Sequence, residues 1–290
     1  LDELPFPDWG SYVEIYPLRN NFFSLNEKIA IPLLGTRGCP YSCFNYCTYP
    51  LQQGRKVRAR SVENIIDEIK YWQKTLGTNK FVFRDPVFSI DRKHTIHFCK
   101  EVIKQKLNIT FMVETHLNNL DDEMINLLAT AGLELVYVGI ESANHVVLKD
   151  MKRFTIEHDK QYKIIKKCEE IGIKVKTMFI IGNPEDTEDT IMQTIKYSKY
   201  LPSLYAQFSV FTPYPGTPIY KDYEHLIYEK KLENFDQYKL TFRHNHLSEN
   251  KIEELKSKAY FKFYFDFSKI LQTLKYLIIS KYGKKNKRLG

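Results

Sequence analysis

Six short apolar runs, each followed by a stretch whose apolar residues recur every three or four positions, constrain how this chain folds more than any other feature. The runs are "AIPLLGT" (30–36), "KFVFRD" (80–85), "ITFMVETH" (109–116), "LELVYVGIES" (133–142), "IKVKTMFIIG" (173–182) and "LYAQFSVFTP" (204–213). Each is short enough for a buried strand and too short for an isolated helix. Between them, Val62, Ile65, Ile66, Ile69 and Trp72 line one face of a helix, and Ile96, Cys99, Val102 and Ile103 line another. Met124, Leu127 and Leu128, then Ile164, Ile165, Cys168 and Ile171, then Ile191, Met192 and Ile195 repeat the period. Gly77, Gly132 and Gly172 fall just past predicted helix ends. Strand and helix in alternation predict an α/β fold of βα units on a parallel sheet.

At 290 residues the chain buries a substantial core without disulfide staples. Its five cysteines are an odd number with three clustered, which suits a reducing cytoplasm. No apolar run reaches the roughly 20 residues of a membrane span. The first residue is Leu rather than Met, so further chain upstream is expected. The net charge of +8 accompanies an abundance of Lys, Asn, Ile and Tyr and reads as compositional bias rather than as a nucleic-acid surface. Only the end, "SKYGKKNKRLG", is locally basic, as a solvated tail is. From Ser248 onward a long helical or two-helix region is rich in Phe, Tyr and Lys. Its aromatics are expected to pack against the strand-and-helix body, the alternative being a basic, aromatic helix resting on a membrane surface.

In a parallel βα array chemistry collects at the carboxyl ends of strands. Arg84 and Asp85 close the second run, Glu114 and His116 the third, and Glu141 and Ser142 the fourth. "GNPE" (Gly182, Asn183, Pro184, Glu185) closes the fifth and "TPYPGTP" the sixth. Acids at consecutive strand ends inside otherwise apolar runs must be paired or ligated if buried. They point to a site on one rim. Cys99 and Cys168, on apolar helix stripes, read as core packing.

The cysteine cluster "GCPYSCFNYC" follows the first strand directly and places Cys39, Cys43 and Cys47 in nine positions. Thiolates select zinc, copper(I) or iron–sulfur clusters. A structural zinc site takes four ligands, and no second cysteine pair is present; His94 and His97 share a helix and read as surface. Three thiolates fit a 4Fe-4S cluster in which one iron has no protein ligand.

On these residues the chain resembles the radical S-adenosylmethionine (SAM) enzymes. The loop and the "TYP" after it are similar to that superfamily's cluster loop, with three residues instead of two between the second and third cysteines. "RARSVENIIDEI", "FVFRDPVFSID", "YVGIESANHVVLKDMKRFT", "GIKVKTMFIIGNPEDTEDTI" and "FTPYPGTPIY" are similar in order and spacing to further segments, in particular of the cobalamin-binding branch. The resemblance covers about Ile29 to Tyr220. It implies a partial (β/α)6 TIM-like barrel of parallel strands over 29–222, a lead segment over 1–28 and a C-terminal helical extension over 223–290. "LDELPFPDW" resembles the junction that follows a cobalamin-binding domain.

The resemblance also implies roles. Cys39, Cys43 and Cys47 would ligate the 4Fe-4S cluster, and the amino and carboxylate groups of SAM would chelate the open iron. Tyr46 takes the place of the aromatic beside the adenine. Asp85 resembles the position whose acid or carbonyl meets the amino group, and Glu114, Glu141 and Ser142 fall among the polar contacts to ribose or methionyl. Lys152 matches a base for the carboxylate. Gly182, Asn183 and Pro184 resemble the turn that contacts adenine, although Met178 replaces a glycine of the usual pattern. The implied activity is reductive cleavage of SAM to a 5′-deoxyadenosyl radical that abstracts hydrogen, with cobalamin-dependent methyl transfer to an unactivated carbon as the branch's extension. Implied partners are a small-molecule or lipid-like substrate and an electron donor such as flavodoxin or ferredoxin. An RNA-modifying radical enzyme would carry an RNA-binding module, and none is visible after Tyr220. A scaffold with a degenerate cysteine loop is the non-catalytic alternative.

Overall fold

The computed structural model of the protein describes residues 1–15 and 30–286. The rest of the expected lead segment, its junction at Ile29 and the last four residues of the extension lie outside the described residues. In chain order the helices are α1 (Trp9–Ile15), α2 (Tyr49–Gln53), α3 (Val62–Leu76), α4 (Arg92–Lys104), α5 (Asp122–Ala131), α6 (His145–Asp150), α7 (His158–Glu170), α8 (Glu188–Tyr200), α9 (Pro218–Tyr223), α10 (Glu249–Tyr264) and α11 (Phe267–Asn286). The strands are β1 (Ala30–Leu33), β2 (Thr36–Arg37), β3 (Arg58–Ala59), β4 (Lys80–Phe83), β5 (Thr110–Thr115), β6 (Leu133–Glu141), β7 (Lys174–Ile181) and β8 (Tyr205–Val210). Six of them form one sheet in the order β1-β4-β5-β6-β7-β8.

By their contacts the residues fall into two compact units. The first holds the described part of Leu1–Tyr41, with Tyr49–Val138 and Glu170–Ile173; the second holds Ser42–Thr48, Gly139–Glu169 and the chain from Lys174 on. In the first unit β1, β4, β5 and β6 pair in parallel, with Leu33 opposite Phe83, Val82 opposite Met112 and Val113 opposite Val136. Inward residues alternate along each strand, and Phe83, Phe88, Phe98 and Phe111 meet largely edge to face at 4.8–6.1 Å between centroids. The whole stripe expected for α3, from Val62 to Trp72, is buried, and the helix starts where Ser61 accepts the Asn64 N–H. After α5 the chain turns at Gly132 (φ 104°), where a side chain would run into the Ile109 carbonyl. The first apolar run was expected to stay extended to 36, but β1 ends at Leu33. The Asp85 carboxylate takes the Gly35 and Thr36 N–H groups, and Thr36–Arg37 pairs instead with Arg58–Ala59 in a two-stranded antiparallel ribbon.

In the second unit β7 and β8 run parallel from Lys176 opposite Tyr205 to Ile181 opposite Val210. Phe179 and Phe208 stack at 5.1 Å across them. Strand β8 is the last in the sheet order, which leaves a row of main-chain groups without a strand partner. Helix α10 supplies them. The Tyr260 hydroxyl accepts from Phe208 N (3.1 Å) and donates to Phe208 O (3.2 Å), and the Tyr264 hydroxyl does the same at Ala206 (3.2 and 2.8 Å). Four residues of helix advance about 6 Å and two residues of strand about 6.6 Å, so an i, i+4 tyrosine pair matches alternate strand residues. Tyr260→Phe with Tyr264→Phe removes both bridges and is expected to lower stability by about 2 kcal/mol in urea unfolding, at roughly 1 kcal/mol per bridge. An unchanged midpoint would mean that water serves the edge equally well.

Candidate active site

Within the first unit the strand ends carry Asp85 and Glu114. Asp85 is 1% exposed, and its carboxylate accepts from Gly35 N (2.8 Å), Thr36 N (2.6 Å) and Thr36 Oγ1 (2.7 Å). The acid is engaged inside the fold, so of the two contacts expected of this residue toward an amino group only the main-chain carbonyl is left. Burial pushes the carboxyl up to about 6, against the pull of the Thr36 and Gly35 hydrogen bonds. The sign follows from linkage. The folded state holds this proton more tightly than the unfolded chain, whose Asp titrates near ~3.9. Stability from this group is therefore highest below about pH 4 and falls by about 2–3 kcal/mol by about pH 6, then levels. Asp85→Asn should flatten that part of the urea-stability profile; an identical slope in the variant would reject the assignment.

Glu114 Oε2 accepts from the Tyr49 hydroxyl at 2.8 Å, which ties the tyrosine of the "TYP" segment to the end of β5. Cys39 is buried at 4% exposure and its N–H donates to Gly54 O at 3.1 Å.

Within the second unit the other two cysteines of the loop, Cys43 and Cys47, lie one turn apart. Ser42–Asn45 is a 3₁₀ turn, and the Cys47 N–H donates to Cys43 O at 3.0 Å. The extra residue between these cysteines is thereby absorbed as an i to i−4 turn. The Cys47 thiol hydrogen-bonds to Cys43 and is the largest influence lowering the Cys43 thiol to about 6; the nearby Arg153 charge adds to this against the cost of burial. Arg153 Nη1 stands 3.8 Å from Cys43 Sγ, while Nη2 donates to Gly139 O at 2.9 Å and lies 3.4 Å from Glu141 Oε1. Both charged side chains are 12% exposed. Gly139 makes this possible by close approach, since a side chain there would strike the Glu141 carboxylate and the Arg153 guanidinium. Glu141, the last residue of β6, has φ 66°, which turns the chain off the strand. The Tyr46 ring lies 6.3 Å from Phe211, and burial with the Glu141 charge pushes its hydroxyl well up.

Arg153 was not foreseen. Lys152, the base expected from "MKRFT", is exposed, and its carbonyl accepts from Ser42 Oγ at 2.9 Å. The available signal was a gap on β6, Gly139 followed two residues later by Glu141, wide enough for a guanidinium and supplied with an anion. Ser142, expected among ligand contacts, is 2% exposed and instead joins β6 to α8, its hydroxyl 3.2 Å from Thr194 Oγ1 while accepting Asn144 N at 3.1 Å. Gly182, Asn183 and Pro184 open a turn closed by Asp186, which accepts from Asn183 N (2.9 Å) and Nδ2 (3.1 Å). His244 Nε2 bonds to Asn183 O at 2.7 Å, and the buried Asn183 Oδ1 has no partner. Asp186 and His244 were likewise not foreseen.

Residues 33–198 match the family model for the Radical SAM superfamily, more than half of the chain. The chain belongs to the Radical SAM superfamily. It is 28% identical over 269 residues to an uncharacterized methyltransferase of Pyrococcus horikoshii, covering 91% of this chain and 56% of that protein. It is 27% identical over 241 residues to the bacteriochlorophyllide d C-12(1)-methyltransferase of Chlorobaculum tepidum, covering 80% and 52%. The chain thus spans about half the length of these curated relatives. Its fold is that of the radical SAM methyltransferase TsrM from Kitasatospora setae, a structure with cobalamin and a [4Fe-4S] cluster bound (TM-score 0.63, 20% identity, 68% of this chain and 39% of that one).

The donor chemistry present suits the superfamily's cluster. The thiols are soft donors, one is acidified by its neighbour, and a buried guanidinium offsets the charge of a thiolate. Among the described residues no three His, Cys, Asp or Glu side chains are gathered as a set able to hold one metal ion. A single ion would need its sulfurs converging on one point about 2.3 Å away, whereas a cubane asks each thiolate to meet its own iron.

Proposed function

We propose that this chain is the radical SAM portion of a cobalamin-dependent methyltransferase acting on an unactivated carbon of a small or lipid-like molecule. The observation that carries this reading is the Cys43–Cys47 pair, set one turn apart with Arg153 against it. In this reading the radical SAM core runs over 29–222 and the helical extension over 223–290, and the lead over 1–28 follows a cobalamin-binding domain. When bound, the cluster with SAM supplies one-electron cleavage chemistry and cobalamin supplies a methyl group.

The chain's residues do the holding. Cys39, Cys43 and Cys47 would each take one iron, and Arg153 would offset their negative charge in a site where water does little screening. Tyr46 presents its ring to the adenine, Glu114 and Glu141 offer acceptors to ribose or methionyl, and Lys152 offers a cation to the carboxylate. Asp85 contributes its carbonyl, and the Gly182–Pro184 turn its main chain to the adenine. A one-electron donor of the flavodoxin or ferredoxin kind in a reducing cytoplasm completes the requirements. Anaerobic reconstitution tests the reading directly. Roughly four irons and four sulfides per folded chain are expected, together with reductant-dependent 5′-deoxyadenosine from SAM. Folded protein that retains no iron would overturn it.

A further inference from the structure

Helix α11 holds to the second unit by polar side chains. Lys269 Nζ donates to Leu201 O (2.5 Å) and Ser203 O (2.9 Å), Gln272 Nε2 donates to Pro202 O (2.8 Å), and the Tyr276 ring takes Lys174 Nζ at 4.4 Å. Lys269 is 4% exposed, and burial lowers its ammonium to about 8. The apolar residues of the same helix lie outward, with Phe267 74% exposed, Ile270 39%, Leu271 50%, Leu274 49% and Leu277 43%. At 100° per residue these five fall within one arc of about 120°, opposite Lys269, Gln272 and Tyr276. Phe261 and Phe265, at the end of α10, add two stacked, exposed rings 4.8 Å apart.

A helix this apolar outward is held in place by its polar contacts, so its orientation is set by the fold and not by the solvent. A contiguous apolar face of this kind marks an interaction surface. The charge of this part of the sequence names the partner. In the sequence no Asp or Glu follows Asp266, whereas Lys275, Lys281, Lys284, Lys285, Lys287 and Arg288 do. Asp266 itself is paired with Lys199 at 2.9 Å. Phe and Leu beside unopposed Lys and Arg is the pattern of a helix lying in a bilayer interface, and no helix among the described residues is long and apolar enough to cross one.

We propose that α11 lays its outward face on an anionic lipid surface. The surface uses none of the residues assigned above to cluster or SAM, so the proposal goes beyond the activity proposed above and stands without it. The test is co-sedimentation of the full chain with large unilamellar vesicles of phosphatidylcholine alone or mixed with phosphatidylglycerol. At least about tenfold stronger partition onto the anionic vesicles is expected, weakening as salt rises toward about 0.5 M. Leu271→Glu with Leu274→Glu, both half-exposed, should cut that partition by at least about tenfold while the circular dichroism spectrum and melting temperature stay as in the parent. Lys275→Glu, which alters none of the five apolar residues, should cut it several-fold. Equal binding to both vesicle types, or anionic binding indifferent to these variants, would overturn the proposal. So would a dimer that the double variant dissolves without any vesicle binding, which would assign the face to a second copy.

Discussion

Cys47→Ser is expected to abolish 5′-deoxyadenosine formation and to leave the protein folded. The anchor of this turn is main-chain, Cys47 N to Cys43 O, and Cys47 is only half-buried, so the packing loses little. The chemistry is lost all the same. A serine hydroxyl is a hard, weakly acidic donor where a soft thiolate is wanted. A loss of more than about 100-fold in product is expected, beyond the 10–100-fold typical of residues that only orient ligands. Product at the parent level would remove Cys47 from the ligand set.

The second large effect is at Arg153. Its guanidinium pairs with Glu141 and donates to Gly139 O, and it reaches Cys43, all in a region where the two charged side chains keep 12% exposure. Arg153→Met takes the guanidinium from the largely buried Glu141 carboxylate and should cost about 3 kcal/mol in urea unfolding of the cluster-free protein. Adding Glu141→Gln to the same chain should recover part of that loss, because the charge that Arg153 balanced is then gone. Additive losses in the double variant would mean that the two residues act independently. In reconstituted protein Arg153→Met should also lower iron retention, since the Cys43 sulfur loses the guanidinium 3.8 Å away.

The strands were legible because one face of each is buried and the other at least partly covered, which writes each strand as a short, largely apolar run. All six expected runs contain a strand, and the errors lie at the ends. The strand ends at Leu33 were missed because the Asp85 carboxylate, fifty residues on, captures the next N–H groups. The stripe of α3 was legible for the same reason of period, whereas of the four residues expected on α4 only Cys99 and Val102 are buried: Thr95 and Phe98 share their face, and Ile103 is 37% exposed. Cys99 on α4 and Cys168 on α7 lie in the core as expected, at 0% and 1% exposure. What the sequence does not display is pairing at a distance. Arg153 looks like any second base after Lys152 until Gly139 and Glu141 are placed beside it. Tyr260 and Tyr264 look like generic aromatic packing until β8 proves to be an uncovered edge. The aromatics of the C-terminal region were expected to pack against the strand-and-helix body; Phe263 is buried and the Tyr260 and Tyr264 hydroxyls reach β8, Tyr264 with its ring 40% exposed, whereas Phe261, Phe265 and Phe267 face outward, since a helix has two faces and aromatic content names neither.

The account rests on one iron left open by a three-cysteine loop. The measurement that tests it most directly is the electron paramagnetic resonance spectrum of the anaerobically reconstituted, reduced protein before and after SAM is added. A reduced 4Fe-4S signal that shifts when SAM is added is expected, because the amino acid part of SAM enters the coordination sphere of the open iron. A signal that SAM leaves unchanged, in folded protein with a full complement of iron and sulfide, would contradict it.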